Sequence, residues 1–228
     1  MSEFGDDISA RLREALTPPE QVAAPNYQIR LELAEATRRL ISESLSTVAD
    51  AGSIGEATTL VAAASALLAG GPHGREYESA EASVTGDPHT SVFVSPFVGA
   101  LNPLAPPLSV DMVDDAIVAT GVFGDQYEGP PGYVHGGVIA AVFDEVLGFA
   151  QSLSGRPGMT GRLTIHYRSP TPLHTELRVE GRVDRMDGRK IFTTGRLFHG
   201  DTLCAEAEGL FISMDPQRFL DMQANRQR

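Results

Sequence analysis

The pattern of hydrophobic and polar positions divides the 228-residue chain into a helical first part and a strand-rich second part. In "NYQIRLELAEATRRLISESLSTVAD" (26–50), apolar residues fall at Ile29, Leu31, Leu33, Ala36, Leu40, Ile41 and Leu45. Returns every three or four residues share one helix face, so the spacing predicts an amphipathic helix. A second helix is predicted from Ile54 to Ala69, stopped by Gly70 and Gly71. The stretch 70–91 reads as a polar loop. "SPFVGALNPLAPPLSV" (95–110) carries four prolines, which rules out regular helix and predicts an extended lead-in.

Beyond it the period changes. "VDMVDDAIVATGVF" (110–123) predicts a strand with an acidic interruption, and 124–134 a loop. A helix is predicted from Gly136 to about Ser154. Four strands follow at 160–170, 175–187, 189–199 and 201–214, each alternating apolar and polar residues over much of its length. Asp187-Gly188 and Gly200-Asp201 separate the last three, and Asp-Gly is a hairpin signal because both residues tolerate positive φ. One helix beside an antiparallel meander is an α+β layer pair. "HGG" occurs once, which argues against a duplicated domain. The expected organisation is a helical extension and polar linker (1–95), an α+β domain (96–215) and a polar tail (216–228).

Composition narrows the chemistry. A net charge of −12 and a pI near 4.9 argue against nucleic acid, whose phosphates demand a basic face. The single cysteine, Cys204, supports neither an intrachain disulfide nor a cysteine-based zinc site. The six histidines are dispersed, so no metal is expected. There is no Gly-x-x-x-x-Gly-Lys phosphate loop and no Gly-x-Ser-x-Gly elbow. The polar, acidic N-terminus has no signal pattern. The apolar run 58–70 is too short and too rich in alanine to span a bilayer. These features predict a soluble cytoplasmic protein without a membrane span.

One residue stands out against its surroundings. In "PPGYVHGGVIAAVFDEVLGFA" (130–150), Asp144 lies among alanines, valines and phenylalanines, on a helix expected to be mostly buried. Gly137, Ala140, Ala141 and Gly148 share its face, a stripe of small residues that admits close approach by a strand, a partner or a ligand. Asp144 is either a solvated carboxylate or an acid with a use, since a buried one is costly unless paired. The paired glycines at the helix start expose backbone N–H groups at the positive end of the dipole, where an oxyanion is held well. Glu145, about 100° further round the helix, reads as exposed or paired.

"GPPGYVHGGVIAAVFDEVLG", followed by "TGRLTIHYRSPTPL" (160–173), resembles the PaaI-like hotdog-fold acyl-CoA thioesterases in three features. These are His-Gly-Gly, an aspartate nine residues after the histidine, and a strand ending in Tyr-x-x-Pro. "NPLAPPL" adds to the likeness, which covers about residues 95 to 214. The resemblance implies a hotdog fold, an antiparallel sheet wrapped around one long helix, and hydrolysis of an acyl-CoA to a carboxylic acid and free CoA. Coenzyme A enters only as part of the substrate, and no other cofactor is expected. It implies Asp144 as general base or nucleophile, with the Gly137 amide, and that of Gly136, polarising the thioester carbonyl. Thr160 would orient water, and His135 would fix the turn or touch the substrate; a plain capping histidine and a plain strand threonine remain open for these two. The implied assembly is a homodimer with shared active sites, or a tetramer.

Some relatives carry Asn or Gln six residues before the histidine; here that place is Gly129, counted as a substrate contact. Arg182, Arg185, Arg189 and Lys190 cluster at the Asp187-Gly188 turn, either as an ordinary charged hairpin tip or as Arg forks suited to CoA phosphates, and Arg168 and His166 are weaker candidates of the same kind. A non-catalytic acyl-thioester binder is the competing reading. An enoyl-CoA hydratase is disfavoured, because an Asn-Pro-x-His motif is missing.

Overall fold

The computed structural model describes Leu16 and residues 27–71, 92–156 and 158–213. The expectations for 1–26 (Leu16 apart), for most of the polar loop and for the C-terminal tail lie outside the described residues. Helices α1 (Tyr27–Ser46) and α2 (Ala51–Ala69) come first. The strands are β1 (Leu108–Val113), β2 (Ala116–Val122), β3 (Gly158–Tyr167), β4 (Glu176–Asp187), β5 (Lys190–His199) and β6 (Thr202–Ser213). Helix α3 (Gly136–Ser152) stands between β2 and β3, after a short 3-10 turn, Asp125–Tyr127.

All six strands form one antiparallel sheet in the order β1-β2-β4-β5-β6-β3. Two expectations are corrected. The acidic interruption in 110–123 is a hairpin turn: Asp114 takes a φ of 54° and the chain reverses there, giving two strands instead of one. The last four strands are not a simple meander. β2 takes the place beside β4, and β3 lies at the far edge beside β6. The β4–β5 and β5–β6 turns sit where expected, but only their glycines, Gly188 and Gly200, take positive φ.

The segment 168–175, which carries "RSPTPL", makes the crossing. The Arg168 and Ser169 amides donate to the Cys204 carbonyl (2.8 and 3.1 Å), and the His174 amide to that of Phe123 (2.9 Å). Midway it meets the loop before α3: the Val134 amide donates to Thr171 O (2.8 Å), and Leu173 to Gly132 O (3.0 Å). The two motifs that define the resemblance are therefore hydrogen-bonded to each other, and the crossover fixes the approach to His-Gly-Gly.

Helix α3 is seated in a trough of the sheet. Its Val142, Phe143, Val146, Leu147 and Ala150 are fully buried, each large side chain contributing about 1.5–3 kcal/mol. Beneath them Gly181 pairs with Gly195, and Gly195 with Ala207, across three strands. A Cβ on Gly181 would lie 2.9 Å from Val146 Cγ1, and one on Gly195 3.0 Å from the Phe143 ring. Close approach is thus made by strand glycines. The expected small stripe on α3 faces outward instead, with Gly148 meeting nothing within 4 Å.

The extension is helical as expected. α1 buries Tyr27, Ala34 and Arg38 against the body, and the Tyr27 ring lies 4.9 Å from that of Phe93. α2 starts on Asp50, whose carboxylate accepts from the Gly52 and Ser53 amides, and no residue along its length is buried. It is longer than the apolar run 58–70 suggested. By length and composition alone it could cross a membrane, a test that core helices of soluble proteins also meet.

Candidate active site

The site is built where the start of α3, the middle of α3 and the edge strand β3 meet. His135 is the N-cap residue, with extended backbone at φ −61° and ψ 131°. Its Nδ1 accepts from the Gly137 amide at 2.9 Å, so that nitrogen carries the lone pair. This alters the expected donor: the Gly137 N–H is engaged, and the first-turn amide without a partner among the described residues is that of Gly136. The Gly136 carbonyl accepts from Tyr167 Oη at 2.7 Å. Tyr167, the tyrosine of the Tyr-x-x-Pro motif, thus clamps the residue whose amide stays open. Its strand face, shared with Leu163 and Ile165 opposite Gly209 and Ala207, was the available sequence signal.

Asp144 is exposed in the single chain, which corrects the expected burial. Thr160 Oγ1 donates to its Oδ1 at 2.8 Å, sixteen residues apart in sequence. Strict alternation would put Thr160 on the face of Arg162 and Thr164, away from α3. A bulge at Gly161 breaks the register, so that Thr160 pairs with Phe211 and Arg162 with Leu210. The extra residue turns Thr160 towards the helix, a common use of bulges beside sites.

The desolvated carboxylate is the neighbour, Glu145. Burial pushes its pKa up, against a side-chain hydrogen bond from Ser95, and the Asp144 charge adds to the rise. Half-buried Glu145 lies under the segment 92–101, while Asp144, 100° away, looks towards the β3 edge.

Gly129 is a packing position. A Cβ there would lie 2.7 Å from His135 Cα, so in this conformation no side chain fits where some relatives have an amide. The loop is tied by Glu128, whose Oε1 accepts from the Gly132 amide (2.7 Å). Sequence reading missed this role for Glu128.

The basic candidates separate. Arg189 Nε donates to Ser213 O (3.1 Å), and Arg156, which sequence reading missed, donates to Gly188 O (3.1 Å). Arg185 stacks 3.9 Å over the Phe192 ring and pairs with Asp184 at 2.6 Å. With Lys190 these residues gather at the β4–β5 turn, at the end of β3 that carries Thr160. Arg168 lies at the other end, paired with Glu206 at 2.9 Å. With His166, Arg182 and Arg196 it lines a cavity of about 250 Å³ on the sheet face away from α3, balanced by Glu180, Glu206 and Glu208. Among the described residues, no group of three His, Cys, Asp or Glu could hold a metal.

Comparison with known proteins places this arrangement. Residues 131–206 match the family model described as the thioesterase superfamily. The crystal structure of the thioesterase superfamily protein RHA08564 is 34% identical with a TM-score of 0.72, covering 83% of this chain and 97% of that one. The chain belongs to the thioesterase superfamily. Sheet and central helix alone are too short for that coverage, so the superfamily match includes part of the N-terminal region. Among curated members, "Acyl-coenzyme A thioesterase THEM4" of Bos taurus is 37% identical over 97 residues, 42% of this chain and 40% of that protein. The protein of that name from Xenopus laevis is 37% identical over 95 residues, 41% and 43% of the two chains. The chain thus spans about two fifths of the length of these curated relatives. The hotdog architecture expected from the sequence is the one observed.

Proposed function

We propose that this chain is an acyl-CoA thioesterase, with the Asp144 carboxylate as the general base that activates water. The observation that carries the reading is the pairing of Asp144 with Thr160 on one side and an open Gly136 amide at the capped helix start on the other. The thioester carbonyl oxygen is held by the Gly136 N–H, where the helix dipole favours negative charge. Water, oriented by Thr160 and deprotonated by Asp144, adds to the carbonyl carbon. The tetrahedral oxyanion collapses, the C–S bond breaks, and CoA thiolate leaves and takes the proton that Asp144 removed from water, which restores the carboxylate. The products are a carboxylic acid and free CoA, and no cofactor is consumed.

Eight residues separate Gly136 from Asp144, about 12 Å along the helix axis at 1.5 Å per residue. Direct attack needs reacting atoms about 3–3.5 Å apart, so Asp144 does not reach a carbonyl carbon held by its own Gly136. One bound water does not span that distance either, so the glycine and the acid that act on one thioester come from different chains, with the water between the acid and the carbonyl carbon. Edge strand β3 is exposed along most of its length and carries Thr160. An unpaired ten-residue edge is a template for strand addition. We place the second subunit there, with two sites at the junction. The basic group at the β4–β5 turn, at the end of β3 that carries Thr160, supplies the CoA phosphate contacts.

The test is a panel of short, medium, long and aromatic acyl-CoAs with a thiol reagent. Release of CoA from at least one class with multiple turnovers supports hydrolysis. Saturable acyl-CoA binding with no thiol release would sink it in favour of the binding-protein reading.

A further inference from the structure

We propose that Arg38 is a positioning residue for hydrolysis, through which the N-terminal helix α1 sets the turn that holds the start of α3; the rate effect rests on the thioesterase reading. Arg38 is only 8% exposed, deep in the seam between α1 and the body. A buried guanidinium costs free energy unless paired, and an apolar side chain would dock a helix at less cost. Its one hydrogen bond within the described chain, from Nη2, goes to the Ala100 carbonyl. Its Nε has no partner, nor do Tyr27 Oη on the same helix and Gln126 Oε1 on the facing turn. Three of the four unpartnered buried side-chain atoms of the described residues therefore belong to α1 or the turn it packs on. Buried polar groups are rarely left so, and such a seam holds a fixed position more than it adds stability.

From Arg38 the contacts lead to the site. α1 packs on the turn Asp125–Tyr127, where burial pushes the Tyr127 hydroxyl pKa up to about 12 against the opposing Gln126 hydrogen bond and the nearby Arg38 charge. That hydroxyl donates to Leu104 O at 3.1 Å, fixing the ring in the core. The Tyr127 carbonyl accepts from the His135 amide at 2.8 Å. His135 in turn caps Gly137 and leaves Gly136 open. Arg38 touches no reacting atom. A shift of the turn moves the His135 backbone, and with it the amide aimed at the carbonyl.

The experiment uses the full chain with Arg38→Met, close in length but uncharged, and Arg38→Lys, which keeps the charge. Steady-state hydrolysis of the best acyl-CoA should show kcat lower by about tenfold in Arg38→Met with KM nearly unchanged, since small misplacements cost rate. Arg38→Lys should recover part of it. In ¹⁵N-labelled protein, the Gly136 and Gly137 amide resonances should shift in Arg38→Met, while those of remote Gly188 and Gly200 stay. The proposal is overturned if these two amides do not move, or if kcat is unchanged, or if the loss of rate follows only a lower melting temperature and is not relieved by lysine. If the wild type turns over no acyl-CoA, the thioesterase reading fails, and the amide shifts still decide whether Arg38 sets the turn.

Discussion

The trough under α3 makes one substitution diagnostic. Gly209→Ala adds a single methyl, and the geometry says where it goes: 2.4 Å from Thr193 Oγ1, 2.8 Å from Phe211 Cε2 and 3.3 Å from Leu147 Cδ1. None of the three neighbours has room to yield, since Thr193, Phe211 and Leu147 are at most 2% exposed. Overpacking a filled core costs about 1–3 kcal/mol. The lost freedom of the unfolded chain returns about 0.4–1 kcal/mol, because Gly209 is not held at positive φ. The net loss is about 1–2 kcal/mol, or a Tm lower by about 2–8 °C in a chain of this size. Gly195→Ala should cost less, since its Cβ would stop 3.0 Å from the Phe143 ring. Differential scanning calorimetry of both variants reads the order. A Gly209→Ala protein as stable as wild type, or an inverted order, would refute the account of how the helix is seated.

Two further variants test the site. Thr160→Val removes the hydroxyl that holds Asp144; a hydrogen bond to a charged group is worth about 1.5–3 kcal/mol, so acyl-CoA hydrolysis should fall about ten- to a hundredfold. Asp144 is solvated once released, so the melting temperature should barely change, and an unaltered rate would show that Thr160 only fills a strand position. Glu145→Gln tests the buried neighbour: a carboxyl with a raised folded pKa is bound to its proton more tightly in the folded state, so its stabilising effect is lost as pH rises above the ordinary value of 4.5. The glutamine variant should therefore be more stable than wild type at neutral pH, with the difference vanishing below pH 4.5, and equal stability at both values would remove the desolvation argument.

The start of α3 was legible because it is local chemistry. A histidine before paired glycines, then an apolar helix of 3.6 period, needs only neighbours in sequence, and the cap and helix fall within two residues of expectation. The strands were legible for the same reason, as alternation within each segment. What was hidden depends on partners far along the chain. That β3 lies beyond β6 is settled by β2 competing for the edge of β4, which no pattern within β3 records. The meeting of Thr160 with Asp144 needs the bulge at Gly161, which reverses the face that alternation assigns. The exchange of roles between Asp144 and Glu145 needs the segment 92–101 to lie over one side of the helix. Arg38 is not among the apolar positions that predict α1, and only the packing of the helix shows it buried.

The central claim is that Asp144 performs the chemistry without being needed to bind. Replacing it by asparagine keeps shape and a hydrogen-bond acceptor for Thr160 but removes the base, and loss of a general base costs about 10²–10⁴-fold. The most direct measurement is therefore CoA release by Asp144→Asn against wild type on the same acyl-CoA, with the binding of that acyl-CoA measured alongside. The account predicts near-complete loss of turnover with acyl-CoA binding retained in a folded protein. Turnover within a few-fold of wild type would contradict it and would move the catalytic acid elsewhere.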